Sequence, residues 1–154
     1  MSKLELRVPP VIVVAVCALA MWLIARDLAP GPLSVPARLG LAAVLGVVGV
    51  MLAFAGVREF RAARTTVNPL QPEQAASMVT SGVYRFTRNP MYLGMFCLLA
   101  AWAVWLGRLA PLLVGLPAFV LYLNRFQILP EERALEQRFG AAFREYAARV
   151  RRWL

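Results

Sequence analysis

Charged residues divide this chain into uncharged runs of similar length. Residues 8–25 carry no charge between Arg7 and Arg26, and residues 39–57 carry none between Arg38 and Arg58. Residues 89–107 are uncharged between Arg88 and Arg108, and residues 109–124 are uncharged before Arg125. About 20 mostly apolar residues cross a hydrocarbon core. The pattern therefore predicts four transmembrane helices, at about residues 8–26, 38–58, 89–107 and 109–129. In the last of these Arg125 snorkels and residues 126–129 continue the helix. The runs are continuous and do not alternate, which excludes a membrane barrel. The first run ends at Arg26-Asp27 without a small-x-small cleavage pattern, so it reads as a retained helix.

The punctuation agrees with the runs. Pro9 and Pro10 stand where a first helical turn tolerates a missing N–H. Residues 28–36 are Pro- and Gly-rich and make a tight link. Gly46 and Gly49 fall near one face of the second run and would admit another helix closely. Residues 65–81 form a polar connector in which residues 71–76 would start a short interfacial helix. Gly107 to Pro111 allows only a hairpin, so the third and fourth helices should be antiparallel neighbours, and Pro117 should kink the fourth. Pro130 should open a new helix at 130–150, with Glu131 and Glu132 in its first turn. Leu135, Phe139, Phe143, Tyr146 and Val150 recur at helical spacing among arginines, so that helix is amphipathic. The predicted fold class is all-α integral membrane: four transmembrane helices plus a cytoplasmic connector and an amphipathic C-terminal helix, in one domain over residues 1–154.

Composition sharpens this. The chain is 60% hydrophobic and 16% charged, which a soluble domain of 154 residues would not be. Its 17 basic residues outnumber 8 acidic ones. They sit between apolar runs, as topology signals and lipid contacts do, and no basic stripe with interleaved aromatics suggests nucleic acid. With four spans, 14 basic residues fall on the side of the termini and three (Arg26, Arg38, Arg108) on the other. This orients both termini and the connector to the cytoplasm, in an inner-membrane protein. Cys17 and Cys97 lie in apolar runs with no His or Cys at ligand spacing, so no metal is expected.

The topology gathers polar residues at one membrane face. Arg88, Asn89 and Tyr92 at the start of the third helix should lie near Asn124, Arg125, Glu131 and Glu132 at the end of the fourth. Each has an ordinary role on its own. Asn89-Pro90 makes a helix cap, Arg88 an anchor, Tyr84 and Tyr92 interfacial aromatics, and Glu131-Glu132 a charged helix start.

Taken together, Gly82-x-Tyr84-x-x-x-Arg88-Asn89-Pro90-x-Tyr92-x-Gly94 followed by Glu131-Glu132-x-x-Leu135-x-x-x-Phe139-Gly140 and Tyr146 resembles the isoprenylcysteine carboxyl methyltransferases. That family is itself similar to phospholipid methyltransferases. The likeness runs from Thr65 onward. It implies an S-adenosyl-L-methionine-dependent membrane methyltransferase. The cofactor would be held by Ala76, Ser77, Met78, Val79, Tyr84, Asn89, Pro90, Met91, Tyr92 and Glu131. Two positions depart from the family: Asn89 stands where many members have His, and Gln127 where eukaryotic members have Arg.

The residues themselves suit such chemistry. Arg88 would pair with the cofactor carboxylate, Glu131 would accept from its ribose or ammonium, and Tyr84 and Tyr92 would offer ring faces. Glu132, Tyr92 or solvent would serve as base if the acceptor is an amine. The expected partner is membrane lipid or a hydrophobic methyl acceptor, arriving sideways from the bilayer with its head group near Asn124, Arg125 and Gln127. Two other readings stand beside this one: an NADPH-dependent membrane reductase of related fold, and a non-enzymatic four-span protein.

Overall fold

Prolines and glycines set where the helices begin and end. The computed structural model describes residues 5–64 and 77–154; Lys3, Ala76 and the interfacial helix expected at residues 71–76 lie outside the described residues. Helix α1 (Pro10–Ala25) and helix α2 (Val35–Ala62) each carry a proline in the first turn. Helix α3 (Pro90–Leu106) starts on a proline and stops at Gly107, whose φ of 67° only glycine adopts freely. Helix α4 (Pro111–Phe139) and helix α5 (Ala141–Arg149) complete the fold. Among the described residues there is no strand.

Of the four runs, α2 with 28 residues and α4 with 29 are long and apolar enough to cross a membrane. Helices α1 and α3 are apolar but have only 16 and 17 residues. The prolines at their starts, and Arg26 and Gly107 at their ends, trim them below the lengths of their uncharged runs.

Two boundaries differ from expectation, both for backbone reasons. Pro130 does not open a new helix, because α4 runs through it. A proline inside a helix leaves the carbonyl four residues back without its donor. Here that carbonyl belongs to Phe126, and it accepts from the N–H of Leu6 at 3.0 Å. A π-helical turn over Asn124–Ile128 takes up the remaining misfit. The break falls instead at Gly140, with φ 53°, so the single tail helix expected over residues 130–150 is divided. A second π-helical turn, Pro111–Gly115, precedes Pro117.

The tightest crossing joins α2 and α3. A Cβ on Gly94 would lie 2.6 Å from the Gly49 carbonyl oxygen, and one on Gly56 would lie 2.7 Å from Met91 Cγ. Gly46, by contrast, has no neighbour within 4 Å. Met21, Leu99, Phe119, Leu123 and Ile128 form the centre of the core, which α1, α3 and α4 build together. Val44, Val47, Val50, Met51 and Phe54 of α2 are exposed, an apolar face suited to lipid. At one end of the molecule, the 28–31 link bonds to the α3–α4 hairpin through Gly31 N to Gly107 O (2.8 Å) and Arg108 Nε to Leu28 O (2.8 Å). The start of α3 and the end of α4 meet at the other end, where the polar residues collect.

Candidate functional site

The site is assembled from three segments distant in sequence. A short 3-10 turn, Gly82–Arg85, leads into α3. Gly82 has φ 55°, and a Cβ there would strike the Glu59 carboxylate. That carboxylate accepts from Ser81 Oγ at 2.6 Å, fastening the turn to the end of α2. The turn buries Tyr84, whose ring tilts against Phe60 of α2 at 5.4 Å. Tyr146 of α5 donates to the Tyr84 carbonyl at 2.8 Å. Burial holds the Tyr84 phenol well above the usual range, helped by Tyr146, Glu131 and Glu59. Burial also pushes Tyr146 up to about 12, while nearby Arg88 pulls the other way.

Tyr92, buried in the first turns of α3, donates its phenolic hydrogen to Glu131 Oε1 of α4. Beside this pair, Glu132 binds two guanidinium groups. Arg88 Nη2 lies 3.1 Å from Glu132 Oε1. Arg152 makes a two-pronged contact, Nε to Oε1 at 3.0 Å and Nη2 to Oε2 at 2.6 Å. This hydrogen bonding raises the Arg152 pKa further. Arg88 keeps one atom in reserve: its Nε is buried and meets no hydrogen-bond partner.

Asn89 takes the N-cap position without capping, since its side chain makes no bond to the helix. Its Nδ2 donates instead to the Arg152 carbonyl at 3.0 Å. Thr87 Oγ1 reaches the same carbonyl at 3.3 Å, and the Arg88 N–H reaches the Arg151 carbonyl at 3.0 Å. The strand-like segment after α5 thus lies across the start of α3 as a strap. It continues to Trp153, whose Nε1 donates to Asn124 Oδ1 at 3.0 Å.

The structure brings together Tyr84, Arg88, Asn89, Tyr92, Glu131 and Glu132. It places other expected residues elsewhere. Arg125 is half exposed and pairs with Glu5 at 2.8 Å, facing the N-terminal segment. Gln127 is buried, and its Nε2 donates to the Val8 carbonyl at 2.6 Å. Pro90 and Met91 pack on Gly56 of α2. Ser77 Oγ bonds the Ala63 carbonyl at 3.2 Å, Met78 is half-buried and Val79 is buried. Sequence reasoning missed Arg152, Trp153 and Thr87. The signal available was the Arg-Arg-Trp cluster just beyond the amphipathic pattern, which reads as surface charge until a fold shows where it lands.

The sequence model of the phospholipid methyltransferases matches residues 37–142, most of the chain and the paired motif from Gly82 to Gly140. The chain belongs to the phospholipid methyltransferase family. A relative in Haemophilus influenzae, described as an uncharacterized protein, is 47% identical over 64 residues; the match covers 42% of this chain and 100% of that protein. The family and the two long apolar helices both point to a membrane protein, and the family points to a methyltransferase.

Proposed function

We propose that this phospholipid methyltransferase family member transfers a methyl group from S-adenosyl-L-methionine to a hydrophobic, lipid-like acceptor. The reaction would take place at the cytoplasmic face of the inner membrane, with all four apolar helices embedded and both termini cytoplasmic. The observation that carries this reading is the cluster of Arg88, Tyr92, Glu131 and Glu132, which meet from motifs some 40 residues apart.

The residues present fit the donor. Its carboxylate suits the buried, unpartnered Arg88 Nε, and its hydroxyls and ammonium suit the Glu131 carboxylate. When bound, S-adenosyl-L-methionine supplies an electrophilic methyl, whose bond to sulfur breaks as the acceptor's lone pair bonds to the carbon. The chain's part is to hold two reactants in line and keep water out. Tyr92 is buried and its hydroxyl is held by Glu131, which suits that task.

Glu132 is committed to two guanidinium groups, so it serves best as the anchor that orients Arg88. An amine acceptor must shed a proton, and Glu131 is then the better placed base. A thiolate or carboxylate acceptor needs no base.

Calorimetry on the purified protein in detergent tests the donor. S-Adenosyl-L-methionine should bind and raise the melting temperature, and NADPH should do neither. Tyr92→Phe and Glu131→Ala should remove the shift while each protein still melts cooperatively. Absence of donor binding sinks the proposal. A shift retained in both variants moves the site elsewhere.

A further inference from the structure

Trp153 stands between the cluster and the seam of α3 and α4. Its indole ring lies 6.5 Å from Phe96 of α3, at 57°. Its N–H bonds Asn124, the first residue of the π-helical turn in α4. The ring also packs on the buried core while remaining half-exposed. One residue earlier, Arg152 grips Glu132 with its guanidinium and Asn89 with its carbonyl. Trp153 is therefore tied on one side to residues of the methyl-transfer cluster and on the other to both helices of the seam. An acceptor sliding from the bilayer between Phe96 and Asn124 would have to displace the indole that joins them.

We propose that Trp153 is the gate on the acceptor's lateral path, latched shut by its hydrogen bond to Asn124. This rests on the methyltransferase reading and adds a specificity-determining residue to it. The latch is a single neutral hydrogen bond at a half-exposed position, strong enough to hold and weak enough to open. A gate that is mostly closed weakens the apparent affinity for the acceptor by the fraction of molecules that stand open. The donor bears on Arg88 and Glu131, whereas the indole N–H bonds Asn124 and the ring faces Phe96, so losing that N–H leaves the donor's groups in place.

The same geometry assigns Asn124 a role opposite to the one its position in sequence suggests. If Asn124 held the acceptor's head group, removing its amide would raise the acceptor KM. As the latch partner, its removal lowers KM.

The test uses the full chain in mixed micelles with radiolabelled S-adenosyl-L-methionine and a lipid extract of the expressing membranes as acceptor. Trp153→Phe keeps a ring against Phe96 and loses only the N–H; Asn124→Ala releases the same bond from the other side. Both should lower the acceptor KM roughly fivefold, the factor that one net hydrogen bond corresponds to, with kcat and the calorimetric donor Kd unchanged. Cooperative melting of both variants shows that they fold.

An unchanged KM in Trp153→Phe, or a raised one in Asn124→Ala, overturns the gate. So does a donor Kd that moves together with KM. Donor binding without any label in the lipid overturns the lateral path, and with it the gate, while leaving the donor site standing. Absence of donor binding by the unaltered protein overturns the underlying reading itself.

Discussion

Tyr146 donates its phenolic hydrogen to the carbonyl of Tyr84 across 2.8 Å, and both residues are buried. This bond holds α5 against the turn that presents the start of α3. Tyr146→Phe would leave a buried carbonyl without its partner and should cost about 1–2 kcal/mol of stability, read as a lower melting temperature. The pair also sets an alkaline limit. Unfolded phenols titrate near pH 10, whereas burial moves Tyr146 to about 12 and Tyr84 further. Above about pH 10 the unfolded chain loses protons that the folded chain keeps, so stability falls as pH rises. Below that pH both states are protonated and the effect vanishes. Melting curves in detergent from about pH 8 upward should be flat at first and then decline, and the decline should be shallower in Tyr146→Phe.

Glu132 is shared by Arg88 and Arg152, and the two arginines are not equivalent. Arg88 is the better buried, and Arg152 makes the two-pronged contact. Glu132→Gln removes the negative charge that both guanidinium groups share. It should cost about 2 kcal/mol or more and weaken donor binding. Arg152→Ala leaves the Arg88–Glu132 pair in place and should cost less, with a smaller change in donor Kd. In the double variant the two losses should fall short of their sum, because both remove one network. Strict additivity of the melting data would show that the contacts act independently.

What the sequence disclosed follows from the range of the forces involved. Uncharged runs marked the apolar helices because lipid solubility is a property of the local segment. Folding those runs back and forth brought Tyr92 toward Glu131, and their side chains do meet. Contacts that depend on one remote partner were not legible. Pro130 looks like a helix start until Leu6 supplies a donor for Phe126. The pairing of Arg125 with Glu5, 120 residues away, leaves no trace in the pattern that suggests a head-group ligand. Asn89 looks like a cap until the Arg152 carbonyl turns its amide outward. The arginines of the tail are alike in any hydrophobic pattern, and only the break at Gly140 directs Arg152 and Trp153 back over the site.

The glycines of α2 separate by the same logic. Gly46 and Gly49 look equivalent along the helix, yet only Gly49 meets a backbone from α3. A Cβ at Gly49 would lie 2.8 Å from the Gly94 carbonyl oxygen, and neither main chain can yield without parting the helices. Gly49→Ala and Gly94→Ala should each cost about 1–3 kcal/mol. Gly46→Ala has open space and should be neutral or stabilising, by up to about 1 kcal/mol through helix propensity. Thermal melts of the three variants check the contrast. A Gly46→Ala protein that melts as low as Gly94→Ala would point to a partner helix on the outer face of α2.

Glu5 fastens the N-terminal segment to α4 by a different means. Its side chain is 4% exposed and bridges Arg125 at 2.8 Å and Arg133 at 2.7 Å, both of which are about half exposed. Glu5→Gln keeps the shape, removes the charge and leaves two cations facing each other across a nearly buried amide. It should cost about 1–3 kcal/mol. Arg125→Ala should cost less in that background than in the unaltered chain, because its partner charge is already gone. The same two variants decide what Arg125 does for the reaction. If its work is to hold Glu5, both variants lower the melting temperature and neither changes the acceptor KM. If it also receives a head group, Arg125→Ala raises the acceptor KM while Glu5→Gln, which frees the guanidinium, lowers it. Measuring both constants on both proteins separates an anchoring arginine from a recognising one.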